Sequence, residues 1–115
     1  MVSRQDKLAQ LARLAKLKSE LELKRFAAFS SNVAATRQRI DRQDAAVDWF
    51  RESQAPDSLA DGNLASLRMG EAAREAARAR AELAAMLPRF DLARQRAAVE
   101  FGRADVLRRL AEGDE

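Results

Sequence analysis

Side chains able to do covalent chemistry are few in this sequence, and they are badly placed for it. Ser3, Ser19, Ser30, Ser31, Ser53, Ser58 and Ser66 have no histidine to act as a base, because the chain contains none. Cysteine is also absent, which removes thiolate nucleophiles, disulfides and the softer metal ligands. Carboxylates are abundant but stand beside arginines, as in Glu71–Arg74, Glu75–Arg78, Asp91–Arg94, Glu100–Arg103 and Asp105–Arg109. Spacings of three and four put such pairs on one helix face, where each contributes a few tenths of a kcal/mol. They read as solvated ion pairs and not as acid/base or metal-binding groups. Gly62 and Gly70 lack the flanking residues of a phosphate-binding loop. No catalytic, cofactor or metal site is expected, and the chain is read as non-enzymatic.

Binding is the better use of these residues. The formal net charge is +3 and the sequence pI about 9.9. The lysines Lys7, Lys16, Lys18 and Lys24 all fall in the first quarter, with Arg4, Arg13 and Arg25 among them. This basic arm is a candidate contact for an acidic partner, and Lys7, Arg13, Lys16 and Lys18 are its candidate residues. Trp49, the single tryptophan, is the other candidate. It stands next to Phe50, so one of the two must turn partly away from a single apolar seam. Trp49 then either folds over the neighbouring turn against Leu59 or Leu64, or serves as an exposed aromatic anchor. Arg37-Gln38-Arg39-Ile40-Asp41-Arg42 and the N-terminal cations could meet phosphates. Acids interrupt the cations throughout, however, so nucleic acid is disfavoured.

The elements that carry these residues are long helices. A chain of 115 residues with 34% charged, 5% aromatic, four glycines and two prolines has the composition of helical hairpins. No apolar run approaches the roughly 18–20 residues needed to span a bilayer, and Met1-Val2-Ser3-Arg4-Gln5-Asp6-Lys7 leads into no apolar h-region. The expected setting is cytoplasmic, peripheral to a membrane at most. Ser3 followed by Asp6 offers a capping box. Phe26, Val33, Ile40 and Val47 recur every seven residues, and Phe29, Thr36, Gln43 and Phe50 follow each by three. That is an a/d coiled-coil seam. Upstream, Leu8, Leu11, Leu14, Leu17 and Leu21 step mostly by threes, so a register shift is expected near Leu21–Phe26.

Ala55-Pro56-Asp57-Ser58 and Asp61-Gly62-Asn63 are turn signals at mid-chain, with Asp57, Ser58 or Asn63 available to cap a second helix. The second seam reads Leu83, Leu87, Phe90, Ala97, Phe101, Ala104 and Leu107, after an alanine stretch through Ala72, Ala73, Ala76 and Ala79. Pro88 is expected to kink this helix, and Gly113 to end it. The expected fold class is all-α: one domain of helix 3–54, turn 55–63 and helix 64–112, paired as an antiparallel coiled-coil hairpin. A parallel dimer of extended chains is the competing arrangement, and Pro56 and Gly62 oppose it.

Two segments carry a family resemblance. Lys7-Leu8-Ala9-Gln10-Leu11-Ala12-Arg13-Leu14 is similar to the Leu-rich basic start, and Ala93-Arg94-Gln95-Arg96-Ala97-Ala98 with Ala104-Asp105-Val106-Leu107-Arg108-Arg109-Leu110 to the Arg/Ala/Leu-rich end, of the FliJ-like stalk proteins of flagellar and virulence type III protein export. The resemblance implies a hairpin that inserts into a hexameric export ATPase and contacts the membrane export gate, with export chaperones as further partners. It implies no small-molecule substrate. A coiled-coil adaptor of another system fits the same residues.

Overall fold

The computed structural model describes residues 3–53 and 59–113. Among these, helix α1 spans Arg4–Glu52 and helix α2 spans Leu59–Ala111, with no strand. The fold is an all-α helical hairpin. Ser3 caps α1 through the expected box: Asp6 N–H donates to Ser3 Oγ (3.1 Å), and Ser3 N–H donates to Asp6 Oδ2 (3.4 Å). Gly113 ends α2 in the left-handed region at φ +83°, where a residue without Cβ is unstrained.

The hairpin packs as two compact units: a terminal unit, Met1–Ser30 with Pro88–Glu115, and a central unit, Ser31–Leu87. In the central unit Val33, Thr36 and Ile40 are buried on α1, and Ala72, Ala76 and Ala79 on α2. Gln43, Val47 and Phe50 continue the α1 stripe half-buried. Thr36 at a polar seam position is satisfied, its hydroxyl donating to Asn32 O at 2.9 Å and lying 3.5 Å from Met86 Sδ. Alanine at the facing positions admits close approach, and no large side chain is fully buried among the described residues.

In the terminal unit Phe26 and Phe90 meet across the helices, with ring centroids 5.2 Å apart. Around them Ala93 and Ala97 are buried on α2, and Ser19 and Glu22 on α1. Gln5 Nε2 donates to Ala111 O at 3.0 Å, pairing the start of α1 with the end of α2 in antiparallel sense.

Three expectations are corrected. No register shift occurs near Leu21–Phe26. The inward positions run Leu8, Ala12, Ala15, Ser19, Glu22, Phe26 in unbroken steps of four and three. Leu11, Leu14, Leu17 and Leu21 are exposed instead, because the close pairing of α1 with the alanines of α2 selects small residues for the seam. Phe101 is 60% exposed and off the α2 seam, where Glu100 is buried in its place. The expected turn 55–63 is also too long. Ala55–Ser58, including Pro56 and the caps Asp57 and Ser58, lies outside the described residues, but Asp61-Gly62-Asn63 is helical. Asn63 is therefore inside α2 and caps nothing. Asp61 in the first turn suits the positive helix N-terminus, and Gly62, half-buried and in step with Ala65 and Met69, extends the inward stripe by a turn. Helix α2 passes through Pro88 without ending, as expected, with the proline on its exposed side.

A tight alanine seam predicts a specific asymmetry in tolerance. Ala79→Leu forces the helices of the central unit apart and is expected to destabilise the protein by about 1–3 kcal/mol. Ala73→Leu, at an exposed position, is expected to stay within about 0.5 kcal/mol. Urea unfolding followed by circular dichroism measures both, and equal costs would contradict a close-packed seam.

Candidate functional site: an uncovered apolar groove in the terminal unit

The seam positions of the terminal unit are filled largely by Ala, Ser and Glu, so its large apolar side chains stand outside. Leu11, Leu14, Leu17, Leu21 and Leu23 on α1 are exposed, as are Leu92, Val99, Phe101, Val106 and Leu110 on α2. In the central unit the exposed large apolar residues are Trp49, Leu64 and Leu67. So many exposed large apolar residues in one short unit point to an interaction surface more than scattered single residues do.

One side of the terminal unit is concave. A groove of about 480 Å³ runs between α1 and α2, floored by Ala12, Ser19 and Ala104 and walled by Leu23 and Phe101. Arg13 and Lys16 line it from α1 and Arg108 from α2, with Glu20, Asp105 and Glu112 at its margins. Helical spacing places Lys16 and Leu23 one above the other on the same edge, and likewise Phe101 and Arg108 on the facing edge. Arg108 is held by Asp105 (3.0 Å) and Glu112 (2.8 Å), and Arg109 by Asp105 (2.9 Å). Arg13 and Lys16 have no ion-pair partner among the described residues, which leaves two cations available at an apolar groove.

The candidate residues thus separate. Arg13 and Lys16 share the groove. Lys18 lies on the other edge of α1, 3.5 Å from the buried Glu100, which also accepts from Arg103 at 3.1 Å. Lys7 is exposed in the first turns of α1. Trp49 belongs to the central unit, 66% exposed, its ring edge-on to Phe50 at 5.0 Å. It lines a shallow recess with Phe50, Leu64 and Arg68. Leu64 therefore shares its surroundings, while the Leu59 side chain lies outside the described residues.

Charges missed by sequence reading tie the central unit together. Arg39 reaches from α1 to two carboxylates of α2, Glu75 and Glu82, at 2.7 Å each. Asp44 pairs with Arg80 across the opposite edge. Only a known register puts these residues opposite each other. Of the short-range pairs expected, Glu75–Arg78, Glu100–Arg103 and Asp105–Arg109 form, whereas Glu71–Arg74 and Asp91–Arg94 do not pair among the described residues. The hydrogen bond from Arg39, reinforced by its charge, holds the Glu82 carboxyl below the usual carboxylate range. The same bonds raise Arg39 further above its already high value.

No protein-family model, no curated protein and no solved structure matches this chain.

A folded-state pKa depressed at Glu82 contributes stability that is complete above the unfolded carboxylate value and lost as pH falls through the folded value. Wild-type melting temperature should therefore drop on acidification below about pH 4.3. Glu82→Gln, melted at pH 7 and at pH 3, is expected to start lower and fall by less. An unchanged acid-dependent drop would show that the exposed Arg39–Glu82 pair adds nothing.

Proposed function

We propose that this chain is a non-catalytic docking hairpin that works by binding a helical segment of a partner protein in the groove between Leu23 and Phe101. The observation that carries the reading is the inversion of the terminal unit, with large apolar residues outside and small or charged ones at the seam. Leaving Leu23 and Phe101 in water forgoes roughly 1.5–3 kcal/mol per side chain that burial would return. A partner that covers them recovers this. Phenylalanine and arginine are also enriched in protein interfaces, and arginine is among the types that dominate their measured energies. Arg13 and Lys16 beside the apolar wall favour an acidic flank on the partner.

The more specific form of the reading takes the partner from the resemblance: a hexameric export ATPase at the terminal unit, and the export gate at the Trp49 recess. A helical hairpin with cations at its edges can bias the interfaces of a ring without covalent chemistry. The chain then acts as a stalk and chaperone of flagellar or virulence-type export.

Equimolar addition of the protein to a purified export ATPase is expected to raise hydrolysis and promote hexamers. The double variant Leu23→Ala/Phe101→Ala should lose about tenfold in half-effective concentration, the scale of an interface anchor. Both side chains are exposed, so helicity should be retained. Trp49→Ala should leave this effect intact. Unchanged assembly and hydrolysis would remove the export-stalk form of the reading.

A further inference from the structure

The two sides of the terminal unit differ in a way that neither the groove nor its proposed partner uses. Opposite the groove, α1 and α2 present their remaining outward positions, and these carry no acid at all among the described residues. On α1, Arg4, Lys7, Lys18, Lys24 and Arg25 are exposed there together with Leu11, Leu14, Leu17 and Leu21; the remaining positions are Gln10 and Ala28. The acids of this stretch fall elsewhere. Asp6 and Glu20 lie on the groove side, and Glu22 is at the seam. On α2 the same side shows Arg89, Arg96, Arg103 and Arg109 with Leu92, Val99 and Val106. Asp91, Asp105 and Glu112 again face the groove side, and Glu100 is buried at the seam. Lys18 and Arg103 lean on the seam carboxylate Glu100 (3.5 and 3.1 Å), Arg25 on Glu22 (2.9 Å) and Arg109 on Asp105 (2.9 Å), but their side chains remain 60%, 65%, 57% and 59% exposed.

We propose that this acid-free side of the terminal unit seats the protein on an anionic lipid bilayer, as a peripheral contact in the plane of the headgroups. Charge selects the occupant. A second copy presenting the same side would bring like charges together, and its leucines could be covered only at that cost. Composition separates a bilayer from a protein partner. Protein interface cores are depleted in lysine and enriched in aromatics, whereas this side holds Lys7, Lys18 and Lys24 and only the half-buried Phe29, which lines a recess beside Arg25 and Leu92. A nucleic-acid backbone would answer the cations but leave the leucines in water. An anionic bilayer answers both, since apolar residues enter the headgroup boundary while lysine and arginine stems extend to the phosphates. No helix among the described residues is long and apolar enough to cross a membrane, so the contact is with the surface. The leucines from Leu11 to Leu21 cover about 15 Å of helix, enough for several headgroups.

The test is co-sedimentation of the full chain with vesicles of phosphatidylcholine containing phosphatidylglycerol, against phosphatidylcholine alone. Binding is expected with the anionic vesicles at low salt, and a loss of about tenfold or more in roughly 0.5 M salt. Leu14→Ser/Leu21→Ser and Lys7→Glu/Lys24→Glu should each weaken it about tenfold, since all four residues are exposed and the fold should survive, as circular dichroism would verify. Leu23→Ala/Phe101→Ala, on the groove side, should bind vesicles like wild type, so failure here and failure of protein docking are distinguishable. Absence of binding to anionic vesicles overturns the proposal. So does vesicle binding that is indifferent to the leucine variant and matched on duplex DNA, which would make the surface a general polyanion site. A dimer by analytical ultracentrifugation that Leu14→Ser/Leu21→Ser dissociates would assign the leucines to a second copy instead.

Discussion

Close approach of two helices through small side chains is the constraint on which this molecule depends. Ala72, Ala76 and Ala79 in the central unit, and Ala93 and Ala97 in the terminal unit, leave room for little beyond a valine, an isoleucine or a hydroxyl on the facing helix. Alanine costs no side-chain entropy on burial and favours helix, so such a seam forms readily. It also buries little apolar area, and pairing energy per turn is correspondingly small. The edges therefore matter. Arg39 with Glu75 and Glu82, and Asp44 with Arg80, stand on opposite rims of the central unit and oppose sliding in either direction. Each pair is partly open to solvent and individually weak, but a slip of one heptad would break all of them together.

The same constraint explains why the terminal unit is turned inside out. With Ala12, Ala15 and Ser19 at the seam, the leucines between them have no inward position to occupy. Glu22 and Glu100 go to the seam instead, each satisfied by a neighbouring arginine within 3.1 Å. A hairpin built only to be stable would place leucine at 19 and 22 and charge at 14 and 21. The reverse order fits a surface made to be covered by something else.

How far the sequence was legible follows from side-chain size. Phe26, Val33, Ile40 and Val47 revealed their register because they are large and apolar at seven-residue spacing. Ala12–Ala15–Ser19–Glu22 continue that register without an apolar signal, while Leu11, Leu14, Leu17 and Leu21 supply a strong false one. Phe101 misled for the same reason: its size suggested burial, but the seam position is taken by its neighbour Glu100. Gly62 and Asn63 read as a turn because their local preferences favour one, and the inward stripe through Gly62, Ala65 and Met69 overrides those preferences. The pairs within one helix needed only spacing. Arg39–Glu82 needed the pairing register, which no local pattern contains.

Charge placement shows the clearest difference between a linear and a folded reading. Along the chain, the lysines suggest a basic arm at the N-terminus, with Lys7, Arg13, Lys16 and Lys18 as one cluster. Folding sorts that cluster by helical angle. Arg13 and Lys16 go to the groove, whose margins also carry Glu20 and Asp105; Lys7 and Lys18 go to the opposite side, where α2 adds arginines and neither helix adds an outward acid. An apolar groove ringed by mixed charge and a side of outward cations among leucines are thus separated by half a turn of the same helix. The two sides of one short unit therefore differ in chemistry although they share the same pair of helices.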